Sequence, residues 1–330
     1  MPADHADGPA PAPGRARGFV HHACLYGSDE DFLAMALPFV RAGLAAEEPV
    51  LAATTPANID LLRRALGERA YALDTAETAY FGRRPVERVS AFLRYHDRRA
   101  RPGRRMRMIA EPVWGGRSDR QIAEWQRMES GLNVLLAALP VWMICPYDTR
   151  VVSPAVAEAA CATHPACLKG ERLTPCASYT DPGVYAEAVR PAPVAAPPTA
   201  AVAGPAGRVA DVRRFARERA AAAGLAGERL ALAELAVCEA ANHLLGAGGA
   251  RLALRAWEEP GAVLYELTRP EPSGAPVPPF AGFRPPGDAP GAEDGLWLAR
   301  SLSEWLDVRT AGPATLITLR VAGPRDAEWL

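Results

Sequence analysis

Apolar positions along the first half of the chain alternate between two periods. Short continuous runs at residues 23–26, 50–54, 106–109 and 141–145 read as buried strands. Between them, apolar residues recur at helical spacing over 31–44, 59–66, 86–99 and 121–136. Ser28 before Asp31 offers an acidic form of helix cap, and Ser118 before Gln121 fits a capping box. Strand and helix in alternation predict an α/β domain, a mostly parallel sheet with helices on both faces. Residues 71–73 offer one more strand. The uncharged run 130–147 nears the length of a membrane span, but Asn133 and Pro140 interrupt it. It reads as a helix end, a turn and a buried strand.

The second half has a different order. Two helical patterns, 212–223 and 229–245, are followed by alternating runs at 252–257 and 262–268 joined at Pro260-Gly261. After a loop with eight prolines between Pro270 and Pro290 come a helix at 295–305 and strands at 306–309 and 315–321. This order predicts a C-terminal α+β sandwich. The boundary lies in residues 191–207, which carry five prolines and no charge, the composition of a stiff linker. The expected organisation is a disordered tail at 1–17, a first domain at 18–190, the linker at 191–207, a second domain at 208–323 and a tail at 324–330.

The 37 basic and 38 acidic side chains nearly cancel, so no global field exists to hold nucleic acid, and no direct nucleic-acid partner is expected. Lys169 is the only lysine, in a stretch broken by Gly170 and Pro175, which leaves no residue for a Walker-type phosphate loop or a framework Schiff base. The proline-dotted start lacks the apolar core of a signal peptide, and six cysteines without regular close spacing form no disulfide framework. The expected location is the cytoplasm, with no membrane partner.

In an open parallel sheet, ligands bind beyond the carboxyl ends of the strands. Tyr26 and Ser28, Thr54 and Thr55, Glu111 and Trp114, and Tyr147 and Asp148 follow the four strands there. They are the candidate rim of a small-molecule pocket, together with His21 and His22, which enter the first strand. Cys24 and Cys145 lie within apolar strands, where thiols are inert, so no catalytic residue is assigned. Cys161, His164, Cys167 and Cys176 form C-x2-H-x2-C-x8-C, a spacing that could close a tetrahedral zinc site. The competing reading is a helix ended by Pro165 with incidental cysteines, and it ranks ahead of zinc.

The segments His21 to Tyr26, Pro38 to Leu44, Glu111 to Trp114 with Gly115 to Ser118, Glu129 to Asn133, and Cys145 to Asp148 resemble, in that order, the MEDS sensory domain family over about residues 19–168. The resemblance implies a sensor of small ligands, with hydrocarbon derivatives among those proposed for the family, rather than a catalyst. It leaves the ligand unidentified.

The helix around Leu232 to Gly249, the two strands, the proline-rich loop and Gly295 to Leu298 are similar to the GHKL ATPase domain of anti-sigma regulatory factors. The family carries Glu-x-x-x-Asn on this helix, with the asparagine holding magnesium on the nucleotide. Here Glu239 is present but His243 takes the asparagine's place, and Asn242 is displaced by about 100° around the helix. Arg269 stands where the family's adenine-binding aspartate should be, and arginine is donor-only. The glycine-rich lid is reduced to Gly291 and Gly295 around Asp294.

The resemblance therefore implies a signalling regulator whose second domain acts by protein binding, with ATPase and kinase activity lost. Its expected partners are a small-molecule ligand and a sigma factor or anti-anti-sigma protein, and no resident cofactor is expected. The alternatives are an active ATP- and magnesium-dependent anti-sigma serine kinase or histidine-kinase-like protein, and a non-switching ligand-binding or scaffold protein. Trp297 and Trp305, eight apart, are spaced to share one face of the last helix and so a partner surface, but core packing is the reading that ranks ahead for each alone.

Overall fold

A computed structural model describes residues 18–246, 250–270, 277–287, 291 and 293–322. The chain forms two units that divide after Pro191. The expected tails at 1–17 and 324–330 lie outside the described residues, as do 271–276 and 288–290 of the proline-rich loop. Among the described residues, no helix is long and apolar enough to cross a membrane.

The first unit runs β1 (Val20–Tyr26), α1 (Asp29–Ala45), β2 (Val50–Thr54), α2 (Pro56–Leu66), β3 (Asp74–Glu77), α3 (Pro85–Arg99), β4 (Met106–Ala110), α4 (Asp119–Leu135), β5 (Val141–Asp148), α5 (Pro154–Thr163), β6 (Ala166–Lys169), β7 (Arg172–Pro175) and α6 (Pro182–Ala188). Both predicted caps form: Ser28 accepts from the Asp31 N–H, and Ser118 and Gln121 exchange reciprocal hydrogen bonds. The stretch 71–73 is not a strand. Residues Gly67–Ala72 make a 3-10 turn, and β3 begins only at Asp74. Pro165 does end a helix, for α5 stops at Thr163 and His164 is already extended.

The sheet order is β3-β2-β4-β5-β1-β6-β7, parallel throughout except for the β6–β7 hairpin. From β1 the chain first moves outward to β2 and β3, then returns through β4 and β5 and crosses to β6. The connections leaving β2 and β4 thus run in opposite directions, which opens a crevice at the carboxyl ends of these adjacent strands. On one face, α1 and α2 pack through Phe32, Met35, Phe39 and Leu62 against Cys24, Tyr26, Ala52, Ile109 and Ile144. Residues of opposite parity, His21 and Cys145, point to the other face and meet α4. The α4 stripe that faces the interior is Trp125, Met128, Glu129 and Leu132.

The second unit runs β8 (Ala201–Ala206), α7 (Val209–Ala222), α8 (Gly227–Leu245), β9 (Leu252–Glu259), β10 (Ala262–Arg269), α9 (Asp294–Leu302), β11 (Trp305–Ala311) and β12 (Ala314–Ala322). Its sheet, in the order β11-β12-β10-β9-β8, is antiparallel at every pairing. Alternate residues Leu252, Leu254, Val263, Tyr265, Leu267, Ile317 and Leu319 share one core with Val212 and Phe215 of α7 and the alanine stripe of α8. The predicted sandwich is present, with two corrections. Ala201–Ala206, which composition assigns to the linker, is an edge strand on β9, because its small apolar residues still offer a backbone ladder. Trp305 does not share a helical face with Trp297: α9 ends at Leu302, Ser303 turns extended, and Trp305 starts β11.

Candidate functional site

Polar side chains gather at two places in the first unit, one on each face of the sheet. At the crevice, the Glu111 carboxylate accepts hydrogen bonds from the Tyr26 hydroxyl at 2.7 Å, the Asn58 amide at 3.0 Å and the Thr54 hydroxyl. Asn58 Nδ2 also reaches the Tyr26 oxygen at 3.0 Å. All four residues are buried. Local sequence explains the assembly. Thr54 ends β2, Thr55 caps α2 and Pro56 opens it, so Asn58 is delivered in the first turn beside the strand end. Burial and the Glu111 charge push the Tyr26 phenol up, so Tyr26 stays a donor.

The backbone of Glu111 faces elsewhere. Its carbonyl accepts from Arg88 Nη2 at 3.0 Å and from the Thr78 hydroxyl. Arg88 is fully buried on α3, bonds the Phe81 carbonyl at 2.8 Å and lies over the rings of Phe81 and Phe92. Burial lowers its guanidinium to about 10, so it remains charged at neutral pH. Gly82 (φ +81°) makes this possible, since a Cβ there would stand 2.5 Å from the Arg88 backbone.

On the opposite face Trp114 stacks on Tyr147, with centroids 5.9 Å apart and planes at 24°, and Tyr147 meets the ring of His164 edge-on at 5.9 Å. The Trp114 indole N–H is buried without a hydrogen-bond partner, as is that of Trp125, over which Arg117 lies at 4.1 Å. Beneath these rings His21, Glu129, Cys145 and His164 form a buried quartet. Glu129 Oε2 lies 3.7 Å from His21 Nε2 and 3.6 Å from His164 Nε2, and Cys145 Sγ lies 3.2 Å from His21 Nε2. Burial raises the Glu129 carboxyl, lowers His21 to about 3 and drives His164 down and the Cys145 thiol up.

The predicted rim is therefore divided. Tyr26 and Glu111 meet on the α1/α2 side, and Trp114 and Tyr147 meet on the α4/α5 side. Asp148 stands at the exposed end of β5, where Arg150 binds both its oxygens at 2.8 Å and holds its carboxyl below the usual range. His21 lies deeper than the rim, within the quartet. His22, one residue on, turns to the opposite face, where the Trp142 indole donates to its Nδ1 at 3.2 Å; burial lowers it to about 4.

The set Cys161, His164, Cys167 and Cys176 does not assemble as four, for the three cysteines neighbour one another while His164 joins a different group. His164 swings into the core at the end of α5 toward Glu129, while Cys161 and Cys176 hydrogen-bond each other and Cys167 rides on β6. The physical reason is the extended backbone at His164, which sends its ring away from the cysteines. Sequence reasoning missed Asn58 and Arg88, and assigned no role to Glu129. The signal for the last two was available: each is a charged residue on the apolar stripe of its helix.

In the second unit Glu239 lies against α9, where a Cβ at Gly295 would come within 2.8 Å of Glu239 Oε2. Arg269 donates from Nη1 to the Leu244 carbonyl at 3.0 Å. His243 is half-buried, and Asn242 beside it is exposed.

A doubly wound α/β unit with a polar crevice at its switch point, followed by an antiparallel α+β sandwich, is the class that the fold and site define. Residues 20–165 match the MEDS family, described as the MEthanogen/methylotroph, DcmR Sensory domain. The match lies within the first unit and suggests a sensing, signalling role for that part of the chain. No curated protein matches the chain.

Proposed function

We propose that the first unit senses a small organic molecule beside the Trp114–Tyr147 pair, on the α4/α5 side of its divided rim, and that the second is a GHKL-like domain of the anti-sigma regulatory type acting by protein binding. The observation that carries the sensing half is the Trp114–Tyr147 pair, whose indole N–H is buried and without a hydrogen-bond partner. A buried donor left unpaired costs roughly 1–3 kcal/mol, and a ligand oxygen or halogen that accepts from it recovers part of that. Aromatic walls with one or two oriented polar groups suit small, weakly polar molecules. Ligand binding would bias the output only if its affinity differs between two states of the unit. The partner in this reading is a sigma factor or anti-anti-sigma protein of the cytoplasm.

In this reading the second unit has lost ATPase and kinase activity, and its own contacts support that. Gly295 is pressed on Glu239, Arg269 is spent on a helix carbonyl, and Asn242 faces outward. Each removes a group that a magnesium–nucleotide complex would use.

The test is a titration of tryptophan fluorescence with short-chain alcohols and halogenated hydrocarbons, on the full chain and on Trp114→Phe. Saturable change lost in the variant is the expected result, and no response to any of them in the parent overturns the pocket. For the second unit, a fluorescent ATP analogue should show no magnesium-dependent binding; micromolar affinity would restore the kinase alternative.

A further inference from the structure

The quartet beneath the rim is a gathering of lone pairs. Asn133 Nδ2 donates to the carbonyls of Ser130 and Thr163 at 3.1 and 2.9 Å, which fixes its amide so that Oδ1 faces His21 Nδ1 at 3.3 Å. His164 Nδ1 lies 2.8 Å from the Ala160 carbonyl. The Asn133 oxygen and the Ala160 carbonyl can only accept, and the Thr163 hydroxyl, 3.0 Å from His164 Nδ1, donates to the Ala159 carbonyl, so each histidine carries its proton on Nδ1 and turns Nε2 to the centre, where that of His21 faces the Cys145 thiol at 3.2 Å. Glu129 Oε2 is a third acceptor at the same point, and neither that oxygen nor His164 Nε2 has a hydrogen-bond partner, the Cys145 thiol being the one hydrogen-bonding neighbour of the Glu129 carboxyl in the quartet. Arg88 does not supply the missing donor, because its hydrogen bonds go to the carbonyls of Thr78, Phe81 and Glu111.

The separations fit a shared ion better than direct bonds. At 3.6 and 3.7 Å the Glu129–histidine distances are too long for hydrogen bonds. With metal–nitrogen and metal–oxygen bonds of about 2.0–2.2 Å and a metal–sulfur bond of about 2.3 Å, the edges of a tetrahedral shell are roughly 3.3–3.6 Å. One ring nitrogen of each histidine, Sγ of Cys145 and a Glu129 oxygen all lie within 4.8 Å of one another.

We propose that His21, Glu129, Cys145 and His164 form a closed, four-coordinate site for a divalent transition metal of the zinc class. Two imidazoles, one thiolate and one carboxylate make a donor set for zinc and its neighbours, whereas calcium and magnesium take oxygen ligands. The thiolate and carboxylate balance the ion's charge. The distal bonds from Asn133 and Ala160 are the outer-shell contacts that orient metal-binding histidines. With four protein ligands and no exposed side chain, the ion would join β1, β5, α4 and the end of α5 rather than activate water. The site is independent of the sensing reading, and it uses only one residue of the C-x2-H-x2-C-x8-C spacing.

The experiment uses the full chain purified from zinc-supplemented cells, with metal content measured after dialysis and X-ray absorption recorded at the zinc edge. One ion per chain, with a shell of nitrogen and oxygen and a single sulfur, is expected. In cobalt-substituted protein, Cys145→Ser should abolish the thiolate-to-cobalt charge-transfer band, whereas the triple variant Cys161→Ser, Cys167→Ser, Cys176→Ser should keep it. Glu129→Gln should weaken binding by more than the roughly tenfold to hundredfold caused by losing an outer-shell partner. If Cys145→Ser does not fold, the absorption shell of the unaltered chain decides. A folded parent that retains no metal overturns the site, and so does a sulfur-rich shell that disappears in the triple variant.

Discussion

His21 and His164 lie ring against ring, with centroids 3.9 Å apart and planes at 42°, although one enters the first strand and the other ends α5. Tyr147 meets His164 edge-on, and Trp114 stacks on Tyr147. A continuous run of four rings therefore leads from the buried quartet to the rim, and packed side chains are the material through which two sites can influence each other. Tyr147→Leu removes its middle. The lost ring pairs and the cavity together should cost about 3 kcal/mol in urea unfolding. Trp114 should also gain mobility, read as lower fluorescence anisotropy; unchanged anisotropy would mean that Tyr147 does not hold it.

Glu111 is the acceptor for three buried donors, those of Tyr26, Thr54 and Asn58. Glu111→Ala strands all of them, at roughly 1–3 kcal/mol each if none finds water. Glu111→Gln keeps one acceptor oxygen but turns an amide toward donors, so it should fall between parent and alanine variant. Equal midpoints for the parent and the alanine variant in denaturant would show that the network contributes nothing.

The site was legible in the sequence to the extent that strand ends are. Period-two and period-3.6 patterns located the parallel strands, and the switch point then placed Glu111 beside Thr54. Which face each residue takes depends on one-residue parity, and this separated His21 from His22 although they are neighbours. The quartet was hidden because its donors come from four distant segments, whereas the compact cysteine–histidine spacing promised proximity that the backbone at His164 refuses. In the second unit the strand at Ala201–Ala206 was masked by linker-like composition, since a ladder of backbone bonds needs no particular side chain.

Thiol chemistry distinguishes buried from accessible cysteines. Cys24, Cys145 and Cys238 are buried, and desolvation pushes all three thiols up. Cys161, Cys167 and Cys176 are half-buried, and although burial also raises the Cys167 thiol and pushes that of Cys176 up to about 12, their partial exposure lets a reagent reach them. Native-state alkylation at mild alkaline pH, mapped by mass spectrometry, should modify only members of the second group, with the first group labelled after denaturation. Early labelling of Cys145 would contradict its enclosure.

Asp148 gives a pH prediction with a definite sign. Hydrogen bonds from Arg150 hold its folded-state carboxyl below the usual value. Its contribution is therefore present above the unfolded value of about 3.9 and is lost as pH falls through the lower folded value. Arg150 is largely exposed, so solvent screens the pair and the effect is small. The parent should be more stable than Asp148→Asn at neutral pH, and the gap should close below about pH 4. Parallel denaturation curves across that range would remove Asp148 from the acid response.

Arg269 and His243 stand where the proposed GHKL resemblance would place the adenine- and magnesium-binding groups. Arg269 bonds the Leu244 carbonyl near the end of α8, where a cation is favoured by the helix dipole. Arg269→Asp replaces it with an anion facing the same carbonyls, so it should cost about 1–2 kcal/mol in unfolding free energy. Combining it with His243→Asn restores the side chains that the GHKL resemblance associates with adenine and magnesium. We nevertheless expect no ATP binding, because Gly295 already brings α9 against Glu239, leaving less room there than one added carbon needs. Titration of both proteins with a fluorescent ATP analogue in magnesium checks this. Binding by the double variant alone would mean that the cleft is open and that only its ligand groups are missing. Binding by the parent would mean that these two positions do not correspond to the nucleotide contacts at all.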